Sequence, residues 1–321
     1  MLEKILIFFI SIFTTSLTIP LIKSKAEKLY IIDFPDFRKQ HDAPKVRLGG
    51  ISIFIGFISS VLIYDLLTAD SFIWANKDII LLSIGFFLLG LFDDLFKLSA
   101  SGRLFIQFVL ATIAWSQNIR VSVIDFSILN IPEQYFVLPL FVSYLITVFW
   151  IVGTTNAINW MDGLDGLAAG IIFIASIGIS LVAFKFGQSS EMVFLTIIIG
   201  TCLGFLKSNF FPSKILMGDG GSYFLGSITS ILSLNSASRI INQSYFVEST
   251  SILLPLILLS VPLIDMTYVI LSRLVNGNSP FYPDRTHLHH RLINKGIGHK
   301  RTVLYIYVSS LINVLIVYLI I

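Results

Sequence analysis

Residues 136–184 read FVLPLFVSYLITVFWIVGTTNAINWMDGLDGLAAGIIFIASIGISLVAF, and they decide the fold. Two apolar runs, 136–155 and 166–184, have about the length of a membrane-spanning helix, and a short polar string separates them. A helix needs about 20 residues to cross the hydrocarbon core of a bilayer. The pattern therefore predicts two membrane helices joined by a polar loop at one surface.

The rest of the chain has the same character. Of its 321 residues, 55% are hydrophobic and 13% are charged, and the mean hydropathy is +0.86. A soluble domain carries about 25% charged residues, so a soluble enzyme, a disordered tail and a fibrous repeat are excluded. The net charge of +3 suggests no nucleic-acid partner. The single cysteine, Cys202, permits neither an internal disulfide nor a cysteine-based metal site.

The apolar runs predict an all-α, polytopic integral membrane protein with about ten transmembrane helices. They cover residues 4–22, 49–67, 79–96, 104–116, 136–155, 166–184, 192–207, 221–240, 252–273 and 302–321. The first run lacks a small-residue cleavage site after it, so we expect a retained helix and not a signal peptide. Pro255 and Pro262 predict a kink in the ninth. No repeat or linker is visible, so residues 1–321 are interpreted as a single transmembrane domain.

The basic residues are distributed unequally between the two sets of loops. The loops 23–48, 97–103, 156–165, 208–220 and 274–301, with the helix-end residues Lys207 and Arg273, hold 17 of the 22 Lys and Arg residues. The positive-inside rule makes this set cytoplasmic and both termini periplasmic. All five histidines and most of the paired acids lie in or beside the same set, so we expect an active site on the cytoplasmic face.

Two acidic motifs indicate chemistry at this face. Asp93 and Asp94 lie near the end of the third run, where an acid pair is costly beside lipid and suits general-base work or recruitment of a divalent cation. A solvated helix end is the alternative. In the string at 156–165, Asn156, Asn159 and Asp162 recur at a spacing that places them on one helix face, and Asp165 follows. Their oxygens suit a hard cation, a base or a sugar.

Three further loops carry polar clusters. In the Gly-rich turn 217–222, Asp219 would either cap a helix or hold Mg²⁺. In the segment 283–291, His287, His289 and His290 lie among arginines and suit phosphate, with a Zn²⁺ site or contact with lipid headgroups as alternatives. The first loop is basic, and a lipid phosphate entering from the bilayer would meet it first; Gly49 and Gly50 at its end suggest close backbone approach to a ligand.

Together these motifs resemble the polyprenyl-phosphate N-acetylhexosamine-1-phosphate transferase family. The matching segments, in the family's order, are RKQH with RLGG (38–41 and 47–50), FDD (92–94), NAINWMDGLDGLAAG (156–170), MGDGGS (217–222) and PDRTHLHHRL (283–292). The His-x-His-His form is most similar to the bacterial branch that loads GlcNAc-1-phosphate onto undecaprenyl phosphate and starts O-antigen or teichoic-acid type glycans. Two positions depart from the pattern: Leu216 replaces a frequent aromatic residue, and Val46 a frequent proline.

The resemblance implies a transferase in the cytoplasmic (inner) membrane that uses Mg²⁺, or alternatively Mn²⁺, to move a HexNAc-1-phosphate from a UDP-HexNAc to undecaprenyl phosphate. The partners implied are those two substrates and the lipid bilayer, with a homodimer left open. The implied catalytic residues are Asp93, Asp94, Arg285, His287, His289 and His290; the substrate-binding residues are Lys45, Arg47, Asn156, Asp162 and Asp165; the metal ligands are Asn159 and Asp219. Asp93 would act as a base or as a transient nucleophile.

Two other classes of function were weighed against this one. A transporter or flippase of a charged lipid or sugar would bind near the bilayer midplane on broken helices, often in repeated halves. Here no repeat is visible, and Asp265 is the exception among the acids because it lies inside the ninth run. A scaffold without catalysis would leave the acid and histidine clusters unexplained.

Overall fold

The computed structural model describes residues 2–32, 44–68, 71–125, 135–242, 247–250, 252–282 and 284–321. Within these ranges the helices are α1 (Leu2–Lys28), α2 (Gly49–Thr68), α3 (Phe72–Ala75), α4 (Lys77–Phe96), α5 (Ala100–Ser116), α6 (Leu140–Met161), α7 (Leu167–Lys185), α8 (Ser189–Asn209), α9 (Gly218–Ser236), α10 (Leu253–Leu258), α11 (Ser260–Val275), α12 (Leu288–Asn294) and α13 (His299–Ile320). The strands are β1 (Val123–Asp125), β2 (Tyr135–Val137), β3 (Ser238–Asn242) and β4 (Val247–Thr250).

Seven of the described helices are long and apolar enough to cross a membrane: α1, α2, α4, α6, α7, α8 and α13. The prediction of ten spans is not confirmed, although every predicted run contains helix. Of the other three runs, the fourth forms α5 of 17 residues, the eighth forms the polar-rich α9, and the ninth is interrupted at Leu259 between α10 and α11. Pro255 and Pro262 flank this interruption, which confirms the predicted kink. The periplasmic location of the termini stays a prediction.

Helix α9 lies at the centre of the bundle and is buried along almost its whole length. It contacts α2, α4, α6, α7, α8 and α10. Three of its serines pair their hydroxyl groups within the helix: Ser227, Ser230 and Ser233 each donate to the carbonyl three residues earlier, at 2.7 to 3.1 Å. A polar helix can therefore pass through an apolar bundle with these hydroxyl groups paired.

A small four-stranded sheet modifies the all-α prediction. Its strand order is β2-β1-β4-β3, with antiparallel pairs β1–β2 and β3–β4 joined by a parallel contact between Ile124 and Thr250. Because β1 follows α5 and β3 follows α9, the sheet lies at the end of the bundle opposite the polar motifs. Residues 136–137 and 238–240, which were predicted as helix ends, belong to β2 and β3 because their backbones pair with β1 and β4.

Backbone hydrogen bonds join the first motif loop to the turn before α9. Leu216 donates to the carbonyl of Val46 at 2.8 Å, and the amides of Gly49 and Gly50 donate to Leu216 and Met217 at 2.9 and 2.7 Å. A Cβ atom at Gly50 would overlap the backbone nitrogen of Gly221. The close approach expected of the glycine pair is therefore made to α9, and an approach to a ligand stays a prediction.

Candidate active site

Asp219, in the first turn of α9, is the point at which three motifs meet. Its Oδ1 accepts hydrogen bonds from Arg47 Nη2 at 2.8 Å and from Asn159 Nδ2 at 2.7 Å. Asn159 lies in the last turn of α6 and also donates to Ser222 Oγ at 2.8 Å. Residues 60 to 172 positions apart in the sequence thus form one cluster, and the structure brings together the predicted Arg47, Asn159 and Asp219.

Asp94 caps the N-terminus of α9. Its two carboxylate oxygens accept from the backbone amides of Asp219 and Gly220, each at 2.9 Å, and Arg47 Nε lies 3.6 Å away. Only 3% of its side chain is exposed. Gly218 lies immediately before Asp219 and has φ of 78°. A Cβ atom at Gly218 would overlap the backbone carbonyl of Arg47 and the carboxylate of Asp94, so only glycine fits here. A carboxylate at this position satisfies free amides and is stabilised by the helix dipole.

Asp93 has a different environment from Asp94, although the two are adjacent in α4. It is buried and forms an ion pair with Arg103 Nη1, and it accepts from the amide of Leu98 at 2.8 Å. Sequence reasoning did not select Arg103. The available signal was its position in the same cytoplasmic loop set, ten residues after the acid. The acid pair therefore divides into one capping carboxylate and one carboxylate held by an arginine.

Asn156 lies one turn deeper in α6 than Asn159. Its Nδ2 donates to Gln107 Oε1 at 2.6 Å and to the carbonyl of Val152 at 2.8 Å. Gln107, which was also missed, is fully buried in α5 one turn beyond Arg103. The predicted role of Asn156 in substrate binding is untested, and in this conformation its amide group pairs with a neighbouring helix.

Lys45 and Asp165, both predicted to bind substrate, pair with each other. Lys45 Nζ lies 3.2 Å from Asp165 Oδ2 and donates to Ser213 Oγ at 2.8 Å. Ser213 in turn donates to Asp165 from its amide at 2.9 Å and from its hydroxyl at 2.7 Å. The first loop, the 156–165 string and the loop before α9 therefore meet a second time at this ion pair.

Asp162 ends α6 beside the Asp219 cluster. Removal from water raises the pKa of its carboxyl well above the usual range. The negative charges of Asp219 and Asp94 raise the pKa further, and Arg47 partly offsets them. The site thus already concentrates negative charge, so an added cation or a cationic ligand would be stabilised here.

The three predicted histidines form one cluster. The His289 and His290 ring centroids are 4.3 Å apart, and those of His287 and His289 are 5.6 Å apart. A Cβ atom at Gly163 would overlap the His289 ring, so the cluster packs against the 156–165 string. Burial lowers the pKa of both His289 and His290, which favours the neutral form of each ring. Arg285, two residues before His287 in the sequence, is exposed.

An arginine clamp holds the loop before the histidines. Arg273, at the end of α11, binds both carboxylate oxygens of Asp284 at 2.9 and 3.0 Å. Burial alone would raise the pKa of Asp284, but the hydrogen bonds from Arg273 and Thr286 lower it to about 2. The bidentate pair fixes the start of the histidine segment relative to α11. The RKQH segment at 38–41 lies outside the described residues.

The oxygen donors fit a hard divalent cation. Among the residues that the structure describes, no group of three or more His, Cys, Asp or Glu side chains could hold a metal ion. Mg²⁺, however, is commonly bound by one or two carboxylates together with substrate phosphates and water. Asp219 offers a carboxylate and Asn159 a carboxamide oxygen, whereas both oxygens of Asp94 are occupied by amides.

Comparisons with known proteins agree on one family. The family model described as glycosyl transferase family 4 matches residues 78–237. A probable undecaprenyl-phosphate N-acetylglucosaminyl 1-phosphate transferase of Bacillus subtilis is 37% identical over 97% of this chain and 83% of its own length. A decaprenyl-phosphate N-acetylglucosaminephosphotransferase of Mycobacterium leprae is 32% identical over 88% and 75%. An undecaprenyl-phosphate alpha-N-acetylglucosaminyl 1-phosphate transferase of Thermotoga maritima is 30% identical over 89% and 80%.

Proposed function

The chain belongs to glycosyl transferase family 4, and from this premise we propose that it transfers GlcNAc-1-phosphate from UDP-GlcNAc to undecaprenyl phosphate, with release of UMP. It is a phosphotransferase and a multi-pass protein of the inner membrane. Its relatives are polyprenyl-phosphate N-acetylglucosamine phosphotransferases, and the transfer of a sugar phosphate to a polyprenyl phosphate is the general reaction that their names describe. The UDP-sugar donor, the sugar and the product are the parts that we propose.

The convergence of Arg47, Asn159 and Asp94 on the first turn of α9 carries the proposal. Phosphoryl transfer needs positioning and charge neutralisation more than covalent chemistry. A helix N-terminus, an arginine and an oxygen-rich pair of side chains supply these in one place. A transporter would need such groups along a path across the bilayer, and here they lie together at one end of the bundle.

Asn159 and Asp219 would hold Mg²⁺, with Mn²⁺ as the alternative. When bound, the cation would neutralise the pyrophosphate and stabilise UMP as the leaving group. Arg47 lies beside Asp219 and would stabilise the remaining phosphate charge. Asp94 keeps the first turn of α9 in place and so fixes Asp219.

Asp93 is the residue that we propose to act on the acceptor. An oxygen of undecaprenyl phosphate attacks the β-phosphorus of the donor, and the bond from that phosphorus to the UMP oxygen breaks. Asp93 would accept the proton of the lipid phosphate, or would attack first as a nucleophile and then be displaced. Arg103 pairs with the carboxylate of Asp93 and would hold it in position.

The remaining predicted residues would bind the donor. The nucleotide end of the donor would be held by Asp162, Asp165, Lys45 and Asn156. The ion pair between Lys45 and Asp165 would either open on binding or stay closed and offer its polar atoms to the nucleotide. Arg285 and the histidine cluster would bind the sugar and the phosphates. His289 and His290, when neutral, each donate one N–H and would orient the oxygens, and the arginines would supply positive charge. The product would start a cell-envelope glycan, and a homodimer is the assembly that we propose to test.

The test is an assay of the purified protein with several UDP-HexNAc donors and undecaprenyl phosphate, in which the lipid product is identified by mass. We expect undecaprenyl-diphosphate-GlcNAc together with an equal amount of UMP. A lipid monophosphate sugar with release of UDP would contradict the proposed bond cleavage. Exclusive use of a different UDP-HexNAc would refute the choice of sugar and leave the reaction type standing.

A further inference from the structure

Asp265 is an acidic residue inside α11 that the proposed mechanism does not use. Its side chain is buried, with 3% of the residue exposed, in a helix whose neighbouring positions Ile264 and Tyr268 are exposed. A buried carboxylate is costly unless nearby donors compensate it. Its partners therefore indicate why the helix carries it.

Among the described residues, the hydrogen-bond and ion-pair partners of Asp265 all belong to the histidine segment 283–291. Oδ2 lies 2.9 Å from His287 Nδ1, and Oδ1 accepts from the backbone amide of Leu288 at 2.6 Å. Arg291 Nη2 lies 4.0 Å from Oδ1. One carboxylate thus binds the ring of the residue before α12, the first amide of α12 and an arginine one turn later.

The position of His287 is transmitted to its neighbours. Its ring packs edge-on against Trp160 of α6, with centroids 5.3 Å apart, and lies almost parallel to His289. Trp160 also lies under the guanidinium of Arg273, 5.1 Å from its ring centroid. A rotation of the His287 ring would therefore disturb the packing of the whole histidine cluster.

We propose that Asp265 is a positioning residue for the transfer reaction, which acts through His287. The carboxylate accepts a hydrogen bond from Nδ1–H, which fixes the ring orientation and the tautomer. Nε2 is then a hydrogen-bond acceptor, which suits a hydroxyl or N–H group of the donor's sugar. This inference rests on the proposed function, but its structural part, the tautomer of His287, can be measured without any activity.

The structural part is tested by nitrogen NMR of the full chain labelled with ¹⁵N-histidine in nanodiscs. His287→Gln identifies the signals of His287 among the five histidines. We expect a protonated Nδ1 in the wild type and a change of that signal in Asp265→Asn. A wild-type His287 protonated on Nε2 alone would overturn the proposal, whether or not the protein shows transferase activity.

The functional part is tested with Asp265→Glu and Asp265→Gln, which have the same length and differ in the carboxylate. This pair stays informative if Asp265→Asn fails to fold. We expect Asp265→Gln to lower kcat by about 10- to 100-fold with little change of KM for UDP-GlcNAc, and Asp265→Glu to recover part of the loss. Equal activity of the two variants would overturn the proposal.

A double-mutant cycle separates positioning from a general structural role. If Asp265 acts through His287, Asp265→Gln should cost little in a His287→Gln background. If the two losses multiply, Asp265 acts independently of His287 and the proposal fails. A wild type that makes no lipid product would refute the proposed function alone, because the NMR result would still decide the role of Asp265.

Discussion

The carboxylate of Asp94 binds the backbone amide of Asp219 at 2.9 Å, so one acid of the sequence pair holds the acid of another motif in place. The second oxygen of Asp94 binds the amide of Gly220 at the same distance. Asp94 therefore supports the first turn of α9 in this structure, whereas Asp93 pairs with Arg103 and with the amide of Leu98. The catalytic role of both acids stays a prediction.

We expect Asp94→Asn to lower both stability and transfer. The amide group would keep one acceptor oxygen and place an N–H against a backbone N–H, which should cost about 1 kcal/mol of stability. Asp65→Asn is the matched control, because Asp65 accepts from the amide of Ile73 at 2.8 Å near the other end of the bundle. Thermal unfolding and turnover should both fall for Asp94→Asn, and unfolding alone for Asp65→Asn. Full turnover in Asp94→Asn would contradict this role.

Gly50→Ala should abolish folding or activity. A Cβ atom at Gly50 would overlap the backbone of Gly221, and backbone atoms of two packed helices cannot give way as a flexible side chain does. Gly153→Ala is the control, because its Cβ atom would lie 3.8 Å from Met266 Cε, an ordinary contact. Yield of monodisperse protein and turnover are the measurements. A normal Gly50→Ala protein would show that α2 and α9 are not packed this closely.

The protein should lose stability below about pH 6.5 through His289. Burial, and then repulsion from His290 and His287, lower its pKa well below the usual value, so the folded state holds it neutral. The unfolded chain takes up the proton near pH 6.5, which favours unfolding as the pH falls, by up to about 1.4 kcal/mol per pH unit. His289→Gln removes this titration. The melting temperature of the wild type should therefore fall more steeply than that of His289→Gln between about pH 7.5 and 5.5, and equal slopes would refute the buried neutral ring.

The basic loops predict the orientation in the membrane. Ser279 and Ser189 are both exposed, so a single cysteine at either position, in a Cys202→Ala background, is open to labelling. Three predicted membrane-crossing runs separate the two positions, which predicts that they lie on opposite sides of the membrane. A membrane-impermeant thiol reagent on intact cells should label Ser189→Cys and spare Ser279→Cys. The reverse labelling would place the motif loops outside and contradict a cytoplasmic active site.

The sequence predicted where the helices lie better than it predicted which of them are long and apolar enough to cross the membrane. Apolar runs identify helices because burial or lipid contact needs apolar side chains, but α9 is surrounded by protein and tolerates serines that bond within the helix. The strands escaped prediction because β1 and β2 have three residues each, too few for an alternating pattern. Their pairing with β3 and β4 depends on loops distant in the sequence.

The sequence motifs identified which residues form the site, whereas the hydrogen-bond and ion-pair partners within it became known only from the structure. Arg47, Asn159 and Asp219 meet as the motif positions predicted. The partners Arg103 and Gln107 were missed because each lies outside a recognisable motif and pairs across helices. Asp265 offered one signal, an ionisable residue inside an apolar run, which by itself indicates a functional position without indicating the partner.

The position of the transferred phosphorus decides whether the cluster around Asp219 performs the proposed reaction. The purified protein is given UDP-GlcNAc labelled with ³²P in the β-phosphate, with undecaprenyl phosphate and Mg²⁺, and the lipid and aqueous phases are counted. We expect the label in the lipid, unlabelled UMP in solution, and no transfer by Asp219→Ala although this variant inserts and purifies normally. Label that stays in the aqueous phase, or transfer at the wild-type rate by Asp219→Ala at limiting Mg²⁺, would contradict the claim that the cluster around Asp219 performs this reaction.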